Sequence, residues 1–476
     1  MKTVVAAPLA GLALAIAVPA MAQAPTPPTV TLDATDQLLL RLKEKGILSD
    51  EEYDALNKLK QAQPTPVAAV PAAVPAAAPA PQQAAAEALD KSRVVMMSKS
   101  GVGLQLGDVT LTFSGSVNGF YAHDSGSAPG PNTTVAGGLA TVGGNSSAVR
   151  NGLLPGFLKV DVTTAQGGWD VGAHFGLYPG INSVTGVGGA NSGGNPQALA
   201  TSGIDARETY LTFSKASFGE VKIGRAIGLF ASDAILNDIT LLSVGTAAGN
   251  AAPSNTSLGR IGVGYVYTDF QPQITYTTPS LGGFKLAAGV FMPLTSFGAA
   301  EVNGTPGFQA RLGYDGTLGD VGIHAWISGI TQDHSPVGGL KYNGRGLDFG
   351  AKLTAGGASL LGYYYTGKGL GTTGLFILAT DAAGRARGSD GYYLQGTYTA
   401  GKVTFGASYG ASRLDLTPGE VNPTLLKSNS SWVGQLRYGL TSWVTLVGEY
   451  THTLSRAHGG NRATSDTVAV GSILFF

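Results

Sequence analysis

From Val109 onward, apolar and polar residues alternate with a period of two. In DVTLTFSGSVNGFY, Val109, Leu111, Phe113 and Val117 alternate with Thr110, Thr112, Ser114, Ser116 and Asn118. Such a segment is a strand with one face in an apolar medium and the other in water. The pattern recurs in GFLKVDVT (156–163), WDVGAHFGLY (169–178), FKLAAGVFM (284–292), LDFGAKL (347–353), VTFGASY (403–409) and TVAVGSILFF (467–476). It predicts sixteen strands, near 109–121, 156–164, 169–178, 206–214, 218–227, 272–279, 284–292, 307–315, 320–330, 346–355, 358–367, 390–399, 401–413, 430–440, 443–454 and 466–476. Short links such as AQGG (165–168), KASF (215–218), SLGG (280–283) and AGGA (355–358) alternate strictly with long polar connections. A soluble sandwich has no reason to keep all its long loops at one end; a transmembrane barrel does, with short turns toward the periplasm. Closure follows because an open sheet edge in hydrocarbon leaves backbone groups unpaired. The predicted fold is all-β: a 16-stranded antiparallel transmembrane β-barrel whose lumen is wide enough for water.

The first hundred residues read differently. Residues 1–22 have one positive charge (Lys2), an apolar stretch over 4–18, and small residues Ala20 and Ala22, the pattern of a secretory signal peptide. Residues 33–62 carry the one clear helical period: Leu38, Leu39 and Leu42 form one stripe, and Tyr53, Leu56 and Leu59 another. Gly46 ends the first helix, and Ser49 with Glu52 forms a capping box for the second. This small α-helical hairpin or coiled-coil segment is too short to stand alone in water, so it needs a partner surface. Residues 64–86 are almost wholly Ala, Pro, Val and Gln and read as an extended spacer. The expected organisation is a signal at 1–22, a helical segment at 23–63, a spacer at 64–100 and a barrel at 101–476.

Composition narrows the function. With 30 basic and 30 acidic residues among 476, and charged residues at 13%, there is no basic surplus for nucleic acid. The 71 glycines fit a β-rich chain, and the absence of Cys excludes thiolate metal sites and disulfides. Past residue 18, no apolar run approaches the ~20 residues of a membrane helix. The six His residues lack metal-ligand spacing, no Ser sits in a nucleophile elbow, and the Gly-rich 186–195 lacks the strand–turn–helix setting of a phosphate cradle. No enzyme activity, metal or cofactor is expected.

Several segments resemble the Gram-negative porin superfamily, including the general diffusion porins. RETYLTFSKASFGEVKIGR (207–225) resembles the fourth and fifth strands with their Gly-Arg exit, and QITYTTPSLGGFKLAAGV (273–290) the hairpin after the long third loop. VAVGSILFF ends on Phe476, similar to the C-terminal aromatic read by the barrel-assembly machinery. The Leu-rich helix, Lys-Gly and Ile-Leu-Ser pattern resembles the periplasmic head found on a subset of porins. The resemblance implies an outer-membrane homotrimer in contact with lipid. It also implies that the longest connection, residues 229–271, folds into the barrel and narrows the channel, and that Arg225 has a constriction role. The acidic third-loop signatures of the enterobacterial branch are absent.

Selectivity resides in charges lining a constriction. Loop candidates are Asp233, Asp238, Arg260 and Asp269. On the wall, parity sends Lys159, Asp161, Lys222, Arg311, Asp348, Lys352, Arg437 and Glu449 to the lumen, because Lys or Arg on the lipid face near midplane costs roughly 2–4 kcal/mol. Arg207 lies near a strand end where parity is ambiguous. Five of those eight wall charges are basic, so at most a weak anion preference is expected. Tyr276, Tyr314, Tyr364, Tyr398, Trp432, Tyr438 and Tyr450 fall on the outward face, as interfacial aromatics do. The leading reading is a passive, water-filled outer-membrane channel for small hydrophilic solutes and ions. Two others stay open: a selective porin for phosphate or carboxylates, and a tether whose periplasmic head contacts cell wall.

Overall fold

The computed structural model describes residues 95–97, 102–182, 204–247 and 256–476. The expected signal, helical pair and nearly all of the spacer lie outside these residues. A short hairpin, β1 (Val95–Met97) and β2 (Val102–Leu106), leads into the long β3 (Val109–Gly126). Then follow β4 (Asn145–Arg150), β5 (Phe157–Gln166), β6 (Trp169–Pro179), β7 (Ile204–Lys215), β8 (Gly219–Ile227), β9 (Phe270–Thr277), β10 (Phe284–Phe291) and β11 (Gly307–Leu318). The remainder are β12 (Val321–His334), β13 (Tyr342–Ala355), β14 (Ala358–Lys368), β15 (Gly388–Ala400), β16 (Val403–Leu414), β17 (Leu426–Gly439), β18 (Val444–Ala457) and β19 (Arg462–Phe475).

Consecutive strands from β5 to β19 pair antiparallel. The ring closes through β3, whose Gly115 and Ser116 meet Leu158 and Phe157 on one side, while Ser116 and Val117 meet Phe475 and Leu474 on the other. β3 with β5–β19 makes the sixteen-stranded barrel, and every predicted strand is present. Side-chain parity holds around it. In β17, Trp432 and Leu436 face outward at 59% and 47% exposure, while Val433 and Gln435 between them are buried. Among the described residues no helix is long and apolar enough to cross a membrane; the strands do so.

Three differences from expectation have local causes. The hairpin β1–β2 continues the sheet beyond the ring, with Val102 opposite Phe113 and Leu106 opposite Val109. The connection expected between 121 and 156 contains β4, which pairs with the upper half of β3 before residues 151–156 leave the ladder. The chain is held there by Asn118, whose side-chain amide donates to Leu154 O (2.7 Å) and whose Oδ1 accepts from Gly152 N (3.0 Å). Finally, the last outer link is only 458–461, because β18 and β19 continue pairing as far as Arg456 opposite Arg462. The strict short–long alternation ends there.

Candidate functional site

The chain between β8 and β9 turns into the lumen. Ala231 adopts a left-handed conformation (φ 59°) and redirects the backbone into the short helix α1 (Ser232–Leu236). Asp238 caps the 3-10 turn that follows at Ile239–Leu242, accepting from Thr240 N at 2.9 Å. The wall-facing side of this loop is apolar: Phe230, Ala231, Ala234 and Ile235 belong to one buried cluster with Trp326, Ile330, Leu361, Tyr363 and Tyr393. Backbone groups that a loop would otherwise expose find partners on the wall. Tyr393 OH donates to Ala234 O (2.8 Å), Ile239 N to Gln395 Oε1 (2.7 Å) and Gly264 N to Ser412 Oγ (2.8 Å). The link between β14 and β15 also folds in, with Tyr267 N donating to Thr373 O at 2.8 Å and Leu370 and Phe376 buried.

This docking relocates many of the charges expected at the constriction. Asp233 accepts from Arg311 at both carboxylate oxygens, Nη2 to Oδ1 being 2.8 Å, and lies 3.1 Å from His324 Nε2. Asp238 accepts from Thr240 Oγ1 (2.6 Å) and Tyr265 OH (2.9 Å). Arg260 is fully buried and donates to Ser431 Oγ (2.7 Å). Burial pushes the Asp238 carboxyl up and the Arg260 guanidinium down, each toward its neutral form. Glu449 accepts from Gly245 N (2.6 Å) and Gln435 Nε2 (2.9 Å), Asp348 from Ala231 N (2.6 Å), and Lys352 donates to Asn237 Oδ1 (3.2 Å). Asp233, Asp238, Arg260, Arg311, Asp348, Lys352 and Glu449 therefore sit along the seam between loop and wall, not along open water. The wall members Arg311, Asp348, Lys352 and Glu449 meet the loop, which fills the inward space on that side. Arg437 shares the inward face of β17 with Gln435 and lies outside the cavity described next.

Beside the loop a cavity of about 650 Å³ remains. The wall of β5–β8 lines one side with Lys159, Tyr178, Asp205, Arg207, Glu208 and Arg225. Lys159 Nζ lies 2.6 Å from Glu208 Oε2, which also accepts from Tyr178 OH at 2.5 Å. Arg207 Nε lies 2.9 Å from Asp205 Oδ2, and its guanidinium rests 5.2 Å from the Tyr178 ring centroid. Arg225 Nη1 donates to Phe270 O at 2.6 Å. Asp269, at φ 64°, accepts from Phe270 N at 2.7 Å. Burial raises its carboxyl pKa, against the lowering effects of that hydrogen bond and of Arg207 and Arg225. Asp161 and Lys222 lie on the same inner wall but outside this lining: Asp161 Oδ1 is 2.6 Å from His174 Nδ1, His174 stacks on Tyr210 at 4.6 Å, and Lys222 lies over Tyr210.

The ambiguous parity at Arg207 has a cause. Gly176 pairs with Glu208 and Leu177 with Ala206, so Arg207 is the extra residue of a β-bulge. Asp205, Glu208 and Tyr178 join the lining although sequence parity did not single them out. At the chain end, Phe476 and Gly115 exchange both backbone hydrogen bonds at 3.1 Å, sealing the closing pair.

Comparison with known proteins agrees with this architecture. No curated protein sequence matches the chain. The outer membrane channel DcaP of Acinetobacter baumannii superposes with a TM-score of 0.58 at 14% identity, covering 80% of this chain and 99% of that one. An anion-selective porin from Comamonas acidovorans gives 0.52 at 17% identity, covering 77% and 100%. At such identities the likeness is one of fold. The family model described as Gram-negative porin, however, matches residues 68–458, most of the chain. A closed sixteen-stranded barrel with an inward loop and that family match make the chain a member of the Gram-negative porin family, a diffusion channel of the outer membrane.

Proposed function

We propose that solutes pass through the cavity between the inward loop and the β5–β8 wall, and that this wall gives the channel a weak anion preference. The balance of charge around the cavity carries the reading. Lys159 is paired with Glu208 and Arg207 with Asp205. Arg225 has no carboxylate ion pair among the described residues, and burial biases Asp269 toward its neutral form. Among the described residues, Arg225 is thus the cation of the lining without a carboxylate ion pair, which supports a small positive bias.

Porin kinship supports a homotrimer. The chain enters β3 at the short-turn end, where Thr110 faces Thr163, which supports a periplasmic location for the N-terminal segment. Pairing of Phe476 with Gly115 supports a role for the C-terminal strand in barrel assembly. The test is single-channel conductance of the full-length protein in planar bilayers, with reversal potential under a KCl gradient. Stepwise ohmic openings in threes and a small anion-side reversal potential are expected. A cation-side potential overturns the selectivity assignment, and absence of current overturns the passage. Deleting residues 23–90 while conductance persists would isolate the contribution of the head to trimer stability and envelope attachment.

A further inference from the structure

The loop side of the cavity is unlike its charged wall. Leu236, Leu241, Leu258, Ile261 and Ile377 line it, and Leu236, at the end of α1, is 58% exposed. α1 buries its other face against the wall, so its length and composition do not force a large aliphatic residue at this position. A contiguous apolar strip facing an aqueous passage is the mark of a surface that contacts something apolar. On the opposite wall, Arg225 spends Nη1 on the Phe270 carbonyl. Nε and Nη2 remain, the edge of a guanidinium that takes a carboxylate in a bidentate manner.

From these two flanks we infer that the channel favours small amphiphilic monocarboxylates, with the carboxylate drawn to Arg225 and an aliphatic body of four to six carbons sliding along the Leu236 strip. The inference rests on the cavity being the conducting passage. A sugar of equal size satisfies neither flank, and an inorganic anion satisfies one. Burying a methylene fully is worth about fourfold in affinity, so contact along one flank gives about twofold per methylene.

The probe is the series propanoate, butanoate, pentanoate and hexanoate, read as concentration-dependent block of KCl current through single channels of the full-length protein. Apparent affinity should rise about twofold per added methylene. Leu236→Ser should flatten the series and Leu236→Met should keep its slope, each read relative to that variant's own KCl current. Arg225→Gln should weaken every member by a similar factor and leave the slope alone. A flat series in the unsubstituted protein overturns the inference while leaving the channel intact, as does a slope unchanged by Leu236→Ser. A folded protein that passes no KCl current overturns both this inference and the passage on which it rests.

Discussion

Asp233 is the place to test whether the inward loop is held by specific bonds. Asp233→Ala removes two hydrogen bonds from Arg311 and the contact with His324. A hydrogen bond to a charged group contributes about 1.5–3 kcal/mol. Arg311 is 22% exposed and Asp233 9%, so water screens part of this, and the total loss is about 2–3 kcal/mol rather than the sum of all three. That corresponds to about 30–150-fold in the local docking equilibrium of α1. The loop stays docked on average, because Tyr393, Gln395 and Asp348 still bind Ala234, Ile239 and Ala231. The effect should therefore appear in rare opening events rather than in mean conductance. Hydrogen exchange reads those events: the Ile235 and Asn237 amides, which donate to Ala231 O and Asp233 O, should lose about 30–150-fold in protection. Strands β17 and β18 should exchange as before. Unchanged protection in α1 would refute the tethering argument, and an equal loss across the barrel would show that Asp233 supports the whole fold instead.

Other outcomes follow from the same geometry. As pH falls, Asp269 protonates earlier than a solvent-exposed aspartate because burial raises its pKa, so the KCl reversal potential should move toward anions; Asp269→Asn should start nearer that limit and respond less. Glu208→Gln releases Lys159 from its ion pair and should shift the reversal potential to the anion side at neutral pH. Gly115→Val puts a Cβ into the Phe476 ring, so the closing pair of strands should form poorly; less heat-modifiable barrel on gel electrophoresis is the expected readout.

The barrel was legible because lipid enforces a two-residue period. A strand such as 430–440 announces its outward face through Trp432, Leu436 and Tyr438, and its pairing follows from its neighbours. The interior of the lumen was legible only in part. Parity says that Arg311 and Glu449 point inward, but it does not say that Asp233 and Gly245 will be waiting there. The five residues of α1 span too little chain to display a helical period. The bulge at Arg207 is invisible because an extra residue leaves no mark in composition, although it lets Asp205, Arg207 and Glu208 all meet the passage. β4 was hidden in the same way: its NSSAVR has no apolar alternation, since it gains its place by pairing with β3.

The partners of the inward loop also set an order of assembly. Gly245 bonds Glu449 across 204 residues of chain, and Ile239 bonds Gln395 across 156. Such contacts cannot form before β15 and β18 have been added to the sheet, since closing so long a segment costs entropy that only the finished wall repays. Full docking of the loop therefore waits on wall strands as late as β18. Until those strands are in place, the loop lacks the wall partners that hold it across the bore.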